Sequence, residues 1–215
     1  QGPTVFPVRS FATARQMLGP LYSGAELAKV VRKTLAGAAT TSLQQIDLPL
    51  LVPAVSWISG EFVGFESKGL AGARALATTL LDVCLATSAA PTYFPAHALD
   101  NDVLVDGGLV ANAPDLCALL AARARWRLPL NQYEVLSIGT AGSPAGGVAG
   151  RVPQSGTKWA MGALIVKLVL ASQERLTVLQ CERMLQSGYF RIDQQPSLGH
   201  LELQAMDQVD ASTTA

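Results

Sequence analysis

Apolar residues along the chain mark out a succession of short elements. Leu27, Val30, Val31 and Leu35 recur at helical spacing behind Ser23-Gly24-Ala25-Glu26, a capping-box pattern, and Gly37 closes the run. A helix is expected there, with Lys29, Arg32 and Lys33 on its solvated face. From Leu48 to Phe65 the pattern changes to short β-rich runs, Leu50-Leu51-Val52 and Glu61-Phe62-Val63-Gly64-Phe65, joined around Ser59-Gly60. Two strands and a turn are predicted, with Pro53 pointing to a bulge or an edge. Ala73 to Ser88 reads as a helix buried on most sides.

Val103-Leu104-Val105 is the next strand, closed by Asp106-Gly107-Gly108, and Asn112-Ala113-Pro114 opens a helix that runs to Trp126. Tyr133 to Ile138 predicts a second buried strand ending at Gly139. A surface loop rich in Gly and Pro, Ser143 to Gly156, leads to a long helix from Thr157 to Gln186, then to a strand over Tyr189 to Ile192. Asp207 to Ala215 reads as the opening of another helix. Strands alternating with helices predict a layered α/β fold. If the strands ending at Asp106 and Gly139 are parallel neighbours, the loop Ser143 to Gly156 lies near the same sheet end as Asp106. It would serve there as a lid, an effector-sensitive loop or a plain connector.

Composition narrows the classes of function. The 215 residues are 49% hydrophobic and 15% charged, and 16 basic side chains cancel 16 acidic ones. That balance leaves no electrostatic footprint for a nucleic-acid polymer, nor for charge-driven binding to an anionic membrane. Cys84, Cys117 and Cys181 are scattered and form no C-x-x-C pair, which reads as small buried hydrophobes in a reducing, cytoplasmic setting. The longest apolar run, Met161 to Val166, is far shorter than the roughly 20 residues that span a bilayer. No cluster of Cys, His or carboxylates suggests a metal, and no cofactor is called for.

Three blocks carry the chemistry: Ala86-Thr87-Ser88-Ala89-Ala90-Pro91-Thr92-Tyr93-Phe94-Pro95, then Val105-Asp106-Gly107-Gly108 with Ala111-Asn112-Ala113-Pro114, then Leu136-Ser137-Ile138-Gly139-Thr140. In order and spacing they resemble the signature blocks of patatin-like phospholipases. Leu50 to Ala54, Phe65-Glu66-Ser67 and Met206 to Ser212 are similar to further parts of that family, so the resemblance runs over nearly the whole chain. It implies a patatin-like layered α/β/α hydrolase with a mainly parallel central sheet, of which residues 1–215 form the C-terminal two-thirds of a single domain. It also implies a lipid acyl hydrolase of the phospholipase A type, with phospholipid or another acyl ester as substrate and transient contact with a membrane surface. Some bacterial members are switched on by cyclic nucleotides in antiphage defence, so a small effector or a homo-oligomer is a partner the resemblance allows.

The family works through a serine and an aspartate, and the aspartate of the Asp-Gly-Gly block is Asp106 here. A serine hydroxyl attacks only when a base within hydrogen-bond reach takes its proton, which a carboxylate at a strand end can do. Gly107 and Gly108 form the active-site turn, where the absence of Cβ and tolerance of positive φ let the backbone turn tightly. The plain alternative is that Asp106-Gly107 merely ends a strand. Neither a glycine-rich oxyanion loop nor a G-x-S-x-G elbow occurs in the chain, so the nucleophile is expected in a preceding segment of roughly a hundred residues. A non-catalytic lipid-binding or assembly module is the rival reading.

Around this centre, Asn112 reads as a helix N-cap or as a partner of the Asp106 turn, and Ala113 stands where the family more often has Asn. His97 and His200 are weak candidates for a Ser-His-Asp triad. Trp57, Phe62, Phe65, Tyr93, Phe94 and Trp159, with Leu164, Ile165, Leu168, Val169 and Leu170 of the long helix, are candidates to line an acyl-chain pocket or simply core.

Overall fold

Short turns dictate the strand directions in the first half of the chain. In the computed structural model, which describes residues 19–67, 77–139 and 164–193, β1 (Leu51–Ser56) and β2 (Phe62–Glu66) are joined by a tight turn and pair antiparallel from Leu51↔Glu66 to Val55↔Phe62. A two-residue turn at Asp100-Asn101, with Asp100 at φ 53, likewise folds β3 (His97–Leu99) back onto β4 (Asp102–Asp106). β4 then pairs antiparallel with β1, Ala54↔Asp106 to Ser56↔Leu104, giving the order β2-β1-β4-β3. The expectation of a mainly parallel central sheet is therefore corrected: hairpins this short cannot make the long crossover that parallel strands need.

Pro53 is neither on an edge strand nor in a bulge. It sits in β1 one residue beyond the last β1–β4 pair, so the ladder on that side loses no donor. The base of the β1–β2 hairpin is pinned by Ser67, fully buried, whose Oγ donates to the Leu48 carbonyl (2.7 Å) and accepts from the Leu50 N–H (2.9 Å).

Helix α1 (Gly24–Leu35) begins as its sequence predicts, with Ser23 Oγ accepting from the Ala25 N–H. The capping box is not completed, because Glu26 accepts from Lys29 Nζ at 2.6 Å. Ala36, not Gly37, takes the left-handed position at the C-terminal end, at φ 48. Leu27 and Val30 pack on a small cluster of Leu21, Tyr22 and Phe94.

Helix α2 (Leu80–Thr87) is shorter than expected at its N-terminal end. Thr79 bridges to Ser42, and its Oγ1 accepts from the Asp82 N–H as an N-cap, so this helix starts at Leu80; residues 73–76 of the expected helix lie outside the described residues. α2 lies on the four-stranded sheet, and Leu43, Ala54, Phe65, Val83, Ala86 and Leu104 form the core there.

The described residues divide into two compact units between Val110 and Ala111. A single helical turn, α3 (Gly108–Ala111), crosses that boundary, and α4 (Asp115–Trp126) opens after Pro114 and ends with Arg127 at φ 54. In the second unit β5 (Val135–Ile138) and β6 (Tyr189–Ile192) pair parallel, with α5 (Leu164–Leu185) between them in sequence. Leu119, Cys181, Leu185 and Tyr189 form its core. Burial pushes the Cys181 thiol up to about 11, with the charges of Asp115 and Cys117 adding to the shift, so this cysteine is inert.

The strand predicted as buried, Tyr133 to Ile138, is buried on one face only. Ser137 and Tyr189 are covered, but Leu136, Ile138, Phe190 and Ile192 are 61%, 71%, 55% and 62% exposed on the opposite face. β4 and β5 belong to separate sheets, so they are not the parallel neighbours on which the placement of the loop Ser143 to Gly156 depended. That loop, Thr140, Trp159, His200 and the segment from Asp207 lie outside the described residues. Among the described residues no helix is long and apolar enough to cross a membrane.

Candidate active site

Asp106 ends β4, where three stretches of chain distant in sequence meet. Its backbone N–H donates to the Ala89 carbonyl at 3.1 Å, and its Cα partner across the sheet is Ala54. Its Oδ1 accepts from the Gly108 N–H at 2.7 Å, a turn in which the carboxylate holds the backbone two residues on. Among the described residues Oδ2 receives no hydrogen bond. One oxygen thus orients the group while the other is left to take a proton. Burial raises the Asp106 pKa above the ordinary 3.8, and the Gly108 N–H opposes that rise without cancelling it.

Gly107 is needed for space. A Cβ there would lie 2.1 Å from the Pro53 carbonyl oxygen and 2.4 Å from its carbon. The positive-φ glycines among the described residues are Gly19 and Gly60, so the expected left-handed freedom is not what this position uses. The same Pro53 carbonyl accepts from Thr87 Oγ1 at 2.7 Å. The first block and the Asp106-Gly107 part of the second accordingly meet: Thr87 and Ala89 at the end of α2 hold Pro53 and Asp106, and Gly107 fits against Pro53. Ala86, Ala89 and Ala90 are buried at this junction.

Other sequence candidates fall elsewhere. His97 lies on β3 with Nε2 3.3 Å from Asp82 Oδ1, a distance at which its direction still misses hydrogen-bond geometry, since Nε2 is buried without a hydrogen-bond partner among the described residues. Its neighbour is thus Asp82 and not Asp106. Asn112 does not cap α4; its Nδ2 donates to Glu174 Oε2 at 2.8 Å in the second unit. In that unit the third block, around Ser137, is part of a polar network. Ser137 Oγ accepts from Arg191 at 2.8 Å, Arg191 also donates to Glu174 and Asp193, and Tyr189 donates to Asp115 at 2.7 Å. Gly139 leaves room for the Asp193 carboxylate.

Of the aromatic candidates, Phe65 and Phe94 are core, and the Tyr22 and Phe94 ring centroids are 5.8 Å apart. Trp57 and Phe62 line no interior at all: they are 71% and 43% exposed. Among the described residues no group of His, Cys, Asp and Glu could hold a metal ion. Pro53, Thr87 and Ala89 fall within runs the sequence singles out, but their place beside Asp106 was not read from it. A proline inside an apolar strand was the available signal, and it pointed only to a bulge or an edge.

A family model described as Patatin-like phospholipase matches residues 9–115, which takes in β1 to β4 and Asp106. The chain is 30% identical to a cGAMP-activated phospholipase of Pseudomonas aeruginosa over 224 residues, covering 100% of this chain and 65% of that protein. It is 32% identical to a cGAMP-activated phospholipase of Vibrio cholerae, covering 81% of this chain and 51% of the relative. It is 34% identical to Patatin-like protein 3 of Arabidopsis thaliana over 110 residues, 47% of this chain and 25% of that protein. The chain thus spans between a quarter and about two-thirds of the curated relatives it matches.

Proposed function

The chain belongs to the patatin-like phospholipase family, and from that premise we propose that it supplies the base of a lipid acyl hydrolase. Asp106 takes the proton of a serine as that serine attacks the ester carbonyl. It returns the proton to the leaving alkoxide, and an acyl-serine forms. Water, deprotonated by the same carboxylate, then attacks the acyl carbon; the bond to serine Oγ breaks, Asp106 returns the proton to that oxygen, and the fatty acid leaves. The observation that supports this most directly is the Asp106 carboxylate itself, held through Oδ1 by Gly108 with Oδ2 unengaged among the described residues. Substrates are acyl esters of membrane phospholipids, and the serine lies in a part of the protein outside residues 1–215.

Covalent labelling tests the reading. A serine-reactive fluorophosphonate should modify one serine of the complete protein, and that serine should lie outside this chain. A label found on any serine of residues 1–215 would overturn the assignment. The two bacterial relatives named as cGAMP-activated support a further part of the proposal, that cGAMP switches this protein on. Labelling should then be faster with cGAMP present, and an unchanged rate excludes it.

The position of the acid limb follows from the same geometry. The base works only when deprotonated, so kcat/KM should fall as pH drops through the Asp106 pKa. Because burial raises that pKa, the limb should lie above the ordinary carboxyl value of 3.8. A profile flat down to 3.8 would exclude Asp106 as the base.

A further inference from the structure

The turn between β1 and β2 carries two large apolar side chains where solvent would be expected to favour polar ones. Trp57 is 71% exposed and Ile58 67%, and Phe62, at the start of β2, is 43% exposed with its ring over Gly64. Five of the six backbone N–H groups from Ser56 to Glu61 are hydrogen-bonded, that of Ile58 being the exception among the described residues. The Ser56 N–H donates to the Glu61 carbonyl (3.0 Å), Trp57 to the Val103 carbonyl (2.7 Å), and Gly60 to the Ser56 carbonyl (2.9 Å). The Ser59 N–H donates to Ser56 Oγ (3.2 Å), the Glu61 N–H to Ser59 Oγ (3.3 Å), and Ser56 Oγ in turn to Asp102 Oδ1 (2.8 Å). Gly60 closes the turn at φ 73. This tip is held by its own hydrogen bonds and exposes apolar side chains.

We propose that the turn Trp57–Gly60 docks the protein on a zwitterionic lipid bilayer, with Trp57 and Ile58 seated at the level of the headgroups and upper acyl chains. Three features favour lipid over a protein partner. Most backbone donors of the tip are already bonded to protein, which lowers the cost of a hydrocarbon boundary that offers no water to bond them. An indole with an apolar body and one N–H suits the membrane interface, where tryptophan concentrates. The tip holds no basic residue, and its acidic Glu61 side chain is engaged by Ser59 Oγ at 3.3 Å, so nothing in it selects anionic headgroups. Docking adds no ordering cost, because the turn is already formed.

The inference rests on the proposed lipid hydrolase reading and gives it an orientation. Trp57, the residue after β1, lies three positions beyond Ala54, the partner of Asp106, which is about 10 Å at strand rise. That separation is of the order of the interfacial layer of a bilayer.

The test uses the complete protein, vesicles of phosphatidylcholine and a water-soluble short-chain ester. Trp57→Ser with Ile58→Ser should weaken vesicle binding about tenfold or more while leaving turnover of the soluble ester unchanged. Brominated lipid should quench tryptophan fluorescence in the unmodified protein, and Trp57→Phe should abolish that quenching, which keeps the test independent of the double variant's fold. Raising salt should leave binding unchanged. The inference is overturned if the double variant binds vesicles within about threefold of the unmodified protein, or if binding requires anionic lipid. A tip-dependent vesicle interaction in a protein that never cleaves the soluble ester upholds the docking and rejects the hydrolase.

Discussion

In the complete protein, Asp106→Asn is expected to lower ester turnover by a factor of about 10²–10⁴, toward the severe end because among the described residues no histidine lies beside Asp106. Asn keeps the acceptor for the Gly108 N–H, so the turn survives the exchange. It cannot take the serine proton. Stability should move the other way. A carboxyl whose pKa is raised on folding holds its proton more tightly when folded, so folded stability is lost as pH rises from 3.8 through the raised value and stays lower at neutral pH. Replacing the charge removes that cost, and the melting temperature of Asp106→Asn at pH 7 should equal or exceed that of the unmodified protein. If Asp106 were only a turn residue, Asn would serve as well, and turnover would be retained. Turnover together with melting temperature therefore separates a base from a turn.

Gly107→Ala should damage both stability and activity. The added methyl meets a backbone carbonyl 2.1 Å away, and Pro53 cannot retreat freely. Its carbonyl is held by Thr87 Oγ1, and its Cα is in register with Gly64 on β2. Overpacking against backbone puts the expected loss at about 3 kcal/mol, at the upper end of what an extra methyl usually costs. The turn that aims Asp106 must shift to make room, so turnover should fall with it. Gly37→Ala is the control, because nothing lies within 4 Å of a Cβ there and its φ is not positive. Urea unfolding should place Gly37→Ala within about 0.5 kcal/mol of the unmodified protein, on either side. Equal midpoints for the two variants would show that the close approach of Gly107 to Pro53 does not matter in solution.

What the sequence made legible was local. Periodicity located β1, β2, β4, α1 and α4, because each spans a run whose apolar spacing is set by its own backbone. It did not reveal strand direction, since a strand alternates in the same way whichever way its neighbour runs. The hairpin at Asp100-Asn101 was the missed signal, and it turns β3 and β4 antiparallel. The early start predicted for α2 came from good helix formers before Thr79, a residue that instead bridges to Ser42 and caps. At the site, Asp106 and Gly107 could be read from one short block. Their setting could not, because Pro53 and Thr87 meet across a separation of 34 residues that no local pattern encodes.

The apolar face of the β5–β6 pair bears on how this chain can be handled. β5 and β6 are joined through α5, so their register closes only after a long loop of chain has been ordered, which makes the pairing slow relative to the hairpins. Leu136, Ile138, Phe190 and Ile192 face solvent throughout that interval and after it. Parallel strands are normally covered on both faces, and bare strands recruit other strands. Residues 1–215 produced alone would accordingly be limited in yield by self-association of this face rather than by the stability of the unit that carries Asp106, and the better preparation is the longest natural polypeptide that contains them.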